Sequence, residues 1–77
     1  MEKYPNKSGD SGVTHYEIGG DYIAIRFKNK FETYIYSNSK IGKQHLAKMK
    51  KLAISGKGLS SYISQHPVVK NNYSKRN

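Results

Sequence analysis

The side chains with most chemistry to offer in this 77-residue chain are lysines. Lys40, Lys43, Lys48, Lys50, Lys51 and Lys57 crowd its middle, and no acidic residue follows Glu32. Residues 1–32 set Lys3, Lys7, Arg26, Lys28 and Lys30 against Glu2, Asp10, Glu17, Asp21 and Glu32, so the whole net charge of +9 belongs to residues 33–77. Ammonium groups without neighbouring carboxylates attract a polyanion, and each phosphate they neutralise releases condensed counterions. Nucleic acid is therefore the expected partner, held through its phosphates by Lys40, Lys43, Lys50, Lys51 and Lys57. An acidic protein is the alternative that the same charge would serve.

Other candidate chemistry is thinner. Tyr22 and Arg26 share one strand face with His15, Lys28, Phe31 and Thr33, a set that, exposed, makes a stacking platform with two cations; such a face is also commonly just solvated. Tyr22 and Arg26 accordingly join the candidate nucleic-acid-binding residues. His15, His45 and His66 lie far apart with no metal-ligand spacing, and His45, inside an apolar stripe, reads as a hydrogen-bonded core residue. No Gly-rich phosphate loop follows a strand, and none of the five carboxylates lies on the helices. Ser60, Ser61 and Ser64 have no base positioned beside them. With no cysteine, Cys-based zinc and redox chemistry are excluded. The expectation is a binding module without enzymatic activity, metal or cofactor.

The elements that must position these residues show two periods. Ile23, Ile25 and Phe27 alternate with polar neighbours, as a half-buried strand requires. Val13 to Ile18 and Phe31 to Tyr36 are two further β-rich runs. Gly19-Gly20-Asp21 supplies one tight turn and Asn29-Lys30 the next. A two-residue turn at Asn29-Lys30 sets Ile23 opposite Tyr36 and Ile25 opposite Tyr34; a turn centred on Gly20-Asp21 sets Ile18 opposite Ile23 and Tyr16 opposite Ile25. Partners across strands share a face, so Tyr16, Ile18, Ile23, Ile25, Phe27, Tyr34 and Tyr36 form the core face.

After Tyr36 the period becomes helical. Ile41, Gly42, His45, Leu46, Met49, Leu52 and Ala53 form one stripe about 140° wide at 100° per residue, with Asn38 or Ser39 to cap its start and Gly56 or Gly58 to end it. Lys40, Lys43, Lys50 and Lys51 fall on the opposite half. In a single helix over 39–55, Lys40 and Lys43 occupy the first turn, where the macrodipole disfavours cations. Leu59, Tyr62, Ile63 and His66 give a second helix that Pro67 terminates. The expected fold is α+β, a three-stranded antiparallel meander followed by two helices packed on one face. Residues 1–11 read as a disordered leader, 12–68 as a single domain, and 69–77 as a basic flexible tail onto which Tyr73 alone has reason to dock. No apolar run is long enough to span a bilayer, and the N-terminus lacks a secretory apolar stretch, so a cytoplasmic monomer with no membrane partner is expected.

This order of elements, with Tyr34-Ile35-Tyr36 in the third strand, resembles the KTSC domain. Ile23-Ala24-Ile25-Arg26-Phe27 matches that family's alternating strand, Ile41 to Gly58 its helix and small-residue turn, and Leu59 to Ile63 its closing apolar helix. The resemblance covers roughly residues 12–73. KTSC domains occur in small bacterial proteins and at the C-terminus of some lysyl-tRNA synthetases, which implies RNA rather than DNA as the nucleic acid. Ser39-Lys40-Ile41-Gly42-Lys43 departs from the family, where proline and acidic residues usually open the helix.

Overall fold

The computed structural model describes residues 1–7, 9 and 12–76. Along the chain come β1 (Glu2–Lys3), β2 (Val13–Ile18), β3 (Tyr22–Phe27), β4 (Thr33–Ser37), α1 (Asn38–Ile41), α2 (Lys43–Ser55), α3 (Leu59–Gln65), α4 (Pro67–Lys70) and β5 (Ser74–Arg76). The fold is α+β. Among the described residues five strands form one antiparallel sheet in chain order, with β3 at the centre.

The central registers are those the alternation requires. Ile18 pairs with Ile23 and Tyr16 with Ile25, while Ile23 pairs with Tyr36 and Ile25 with Tyr34. Ile23, Ile25 and Tyr36 are consequently buried, in one cluster with Ile41, Leu46, Met49, Ala53, Leu59 and Ile63 from the helices. Ile18, expected on the core face, lies at the sheet's end and remains 39% exposed. Val13 was not expected there, yet it is buried. A bulge between Val13 and His15 supplies the reason: Val13 pairs with Phe27 and His15 with Arg26. The extra residue, Thr14, bonds its hydroxyl to the Arg26 carbonyl at 3.2 Å, and Val13 is turned from the outer face to the core.

The meander is wider than expected because both ends of the chain join it. The segment read as a leader supplies β1, and Tyr4 behind it is only 2% exposed. Its amide donates to the Thr14 carbonyl at 2.9 Å, and its hydroxyl accepts from the Leu59 amide at 3.4 Å. The segment read as a tail supplies the end of α4, with Val69 buried, and then β5. Tyr73 docks as anticipated, its ring 4.8 Å from Tyr34 and 6.0 Å from Tyr36. Pro67, expected only to stop a helix, also opens α4 at the first position, where its missing N–H costs nothing. Residues 8, 10 and 11 of the expected leader and 77 of the tail lie outside the described residues.

Two further expectations are corrected. The single helix over 39–55 is broken at Gly42, which at φ 89° and ψ 155° adopts a conformation open essentially to glycine alone. Gly42 also leaves the apolar stripe for solvent. Neither α1 nor α2 has a side-chain cap; α1 is anchored instead by the Asn38 amide, which donates to the Asp21 carbonyl at 2.8 Å. The turn after β3 is likewise no two-residue hairpin. The Arg26–Thr33 pair is the last between β3 and β4, and beyond it Asn29 has φ 65° and the Lys30 amide is bonded to the Phe27 carbonyl at 3.2 Å.

Candidate nucleic-acid interface

The break at Gly42 redistributes the lysines. Lys40 belongs to the single turn of α1, while Lys43 opens α2 and keeps the unfavourable place. On α2 the side buried against the sheet carries Leu46, Met49 and Ala53. The exposed side carries Lys43, Gln44, Ala47, Lys48, Lys51 and Ile54. Lys43 and Lys51 stand about 12 Å apart along the axis at 1.5 Å per residue. Among the described residues no helix has an acidic residue in its first turn.

Lys50 differs from the others. It is half-buried, and its ammonium donates to the Gly20 carbonyl at 3.1 Å, tying α2 to the β2–β3 turn. Its charge is therefore partly engaged by the fold. Lys57 is exposed in the α2–α3 loop beside Gly56, whose carbonyl accepts the Lys7 amide at 2.7 Å. The loop is tight: Gly56 has φ 82°, and a β-carbon there would stand 2.7 Å from Pro5.

Tyr22 and Arg26 do not join these lysines. Both lie on the outer sheet face, on the far side of the sheet from the helices, since Tyr22 pairs with Ser37 and Arg26 with Thr33 in the set that alternates with the core. Tyr22 lies over Gly19, where a β-carbon would overlap its ring. Its hydroxyl donates to Glu17 at 2.6 Å. That bond, followed by lost hydration and the carboxylate charge, raises the phenol above its ordinary value. Arg26 is exposed and donates to the Phe31 carbonyl at 3.1 Å, and Phe31 itself is 89% exposed. The expected site residues thus divide into a helix-side set and a sheet-side set.

Sequence reasoning missed the association of His45 with His66. Their rings lie 5.2 Å apart, bridged by Tyr62, whose hydroxyl shares a 2.7 Å hydrogen bond with His45 Nδ1. Tyr62 stacks on His66 at 4.0 Å, and its carbonyl accepts from His66 Nδ1 at 2.7 Å. The spacing of Tyr62 and His66, i and i+4 across the C-terminal end of α3, was the available signal; the approach of His45 depends on how α2 and α3 pack. His45 is a hydrogen-bonded, half-buried residue. Among the described residues no group of three or more His, Cys, Asp or Glu side chains is placed to hold a metal ion, and no helix is long and apolar enough to cross a membrane.

No known protein family, curated protein or solved structure matches the chain.

Proposed function

We propose that the protein is a small non-enzymatic nucleic-acid-binding module, KTSC-like in kind, that holds RNA in preference to DNA mainly through phosphates. The observation that carries this reading is the acid-free run of residues 33–77, whose cations Lys40, Lys43, Lys48, Lys51 and Lys57 stand exposed on the helical side. A face shaped for helix stability alone would interleave carboxylates at i,i+4; this one forgoes them. Phosphate contacts position a polyanion without reading its bases, so sequence preference is slight.

Filter binding of a labelled RNA duplex across a salt series tests the reading. With about four phosphates neutralised, log K falls with log salt at a slope of roughly −3 to −4. Lys43→Glu/Lys51→Glu, at two exposed positions, abolishes binding while the circular dichroism spectrum is unchanged. Lys50 is a poor choice for this test because its loss also frees the Gly20 carbonyl. Undiminished binding by the folded double variant would remove the helix side from consideration. An acidic protein recovered after nuclease treatment, with no RNA or DNA bound at low salt, would replace this reading by the acidic-partner one.

A further inference from the structure

The two edge strands complete a pattern that the central strands only begin. Reading straight across the sheet, Lys3 pairs with His15, His15 with Arg26, Arg26 with Thr33, and Thr33 with Arg76. Directly opposed residues share a face, so all five lie in one row on the outer face. Cation and uncharged residue alternate along it, with His15 neutral in the formal charge count at pH 7. This spacing avoids like charges directly opposite one another, which would weaken the pairing. Lys3, His15, Arg26 and Arg76 are all exposed.

Charged residues on edge strands guard a sheet against edge-to-edge pairing, and Lys3 and Arg76 fit that use. Arg26 does not, because β3 is the central strand. Phe31 is unexplained by solvation as well: its ring is the most exposed of the large apolar side chains, while its carbonyl is fixed by the Arg26 guanidinium. Four strand-to-strand steps of about 4.8 Å make the row about 19 Å long. On the same face, Glu17 has its carboxylate engaged by the Tyr22 hydroxyl.

We infer that the outer sheet face is a docking platform for single-stranded nucleic acid, whose phosphates follow the Lys3–Arg26–Arg76 row while a base stacks on Phe31. The inference rests on the nucleic-acid reading above and deepens it: the occupant is a single strand, because a duplex keeps its bases stacked on one another and offers none to Phe31. Charge complementarity selects a polyanion, and the exposed ring of Phe31, the residue whose carbonyl the central guanidinium binds, selects unpaired bases. Stacking of this kind tolerates any base.

The test compares oligouridine, oligothymidine and an RNA duplex of equal length, each fluorescein-labelled, by anisotropy. Phe31→Ala weakens both single strands about tenfold, the loss expected for one stacked base, and leaves the duplex unchanged. Lys3→Glu/Arg76→Glu, at two exposed side chains, weakens single strands further and flattens their salt slope by about 1.4, because two phosphates are no longer neutralised. Parent-like single-strand affinity in both variants overturns the platform; if Lys43→Glu/Lys51→Glu still loses binding, the helix-side reading survives it. Equal losses for strand and duplex with Phe31→Ala also overturn it. A parent that binds none of the three probes at low salt overturns the nucleic-acid reading and the platform together.

Discussion

Tyr36 shows how an aromatic core residue can carry a polar liability. Its position opposite Ile23 places it at 2% exposure beneath the helices, with Tyr34 and Tyr73 close by. Burial, reinforced by the two neighbouring phenols, pushes its own phenol well above the ordinary range. The folded state therefore keeps a proton that the unfolded state releases near pH 10. Stability from this group is complete below that pH and is lost as the pH rises further. Thermal melts between pH 9 and 12 should show the melting temperature falling above about pH 10, with a shallower decline in Tyr36→Phe. Equal slopes for the two proteins would mean that the phenol is not buried. The burial of Tyr36 was legible from alternation alone, because one register slip would have exposed Tyr34 and Tyr36 and turned Ile35 inward. Val13 was not legible, because its burial depends on a bulge that no residue type at Thr14 announces.

Among the elements, the helical layer departs most from what its sequence suggests. Ile41, Leu46, Met49 and Ala53 keep the apolar stripe intact across the break, so periodicity alone reads α1 and α2 as one helix. The two readings make opposite forecasts for Gly42→Ala. In the interior of a continuous exposed helix the change would stabilise by about 1 kcal/mol. At φ 89° and ψ 155°, it should instead destabilise by about 1–3 kcal/mol. Nothing lies within 4 Å of the added β-carbon, so the loss measures backbone conformation and not a clash. Urea titration decides the sign. The split also explains why the candidate site was only partly legible: lysine content was plain, but the placement of Lys40 at a helix end and the engagement of Lys50 by the β2–β3 turn depend on three-dimensional packing.

At the scale of the whole molecule, the ends of the chain are structural. β1 and β5 have two and three residues, Glu-Lys and Ser-Lys-Arg, and show no apolar alternation. They pair through backbone hydrogen bonds, which leave no mark in composition, so both read as polar ends. The cross-sheet row of cations was invisible for the same reason, since Lys3 and Arg76 enter it only through those strands. Deleting residues 1–5 removes Tyr4 from the core and should cost about 3–5 kcal/mol, the range for emptying a large buried aromatic site. A disordered leader would be removed without effect. Chemical denaturation of the shortened chain distinguishes the outcomes.

The strand that β5 covers has a further significance. β4 reads Thr-Tyr-Ile-Tyr-Ser, five residues without charge, proline or glycine, the composition that favours stacking of identical segments into cross-β fibrils. Its inner edge is satisfied by β3, and three residues of β5 pair with its other edge. Clipping the chain after Tyr73 would leave that edge bare while most of the core stays in place. The shortened protein should then grow thioflavin-positive aggregates in a concentration-dependent way, and a lysine at Ile35, on the outer face of that edge, should suppress them. The brief final strand thereby acts as a gatekeeper against self-association, keeping a tyrosine-rich strand from recruiting copies of itself.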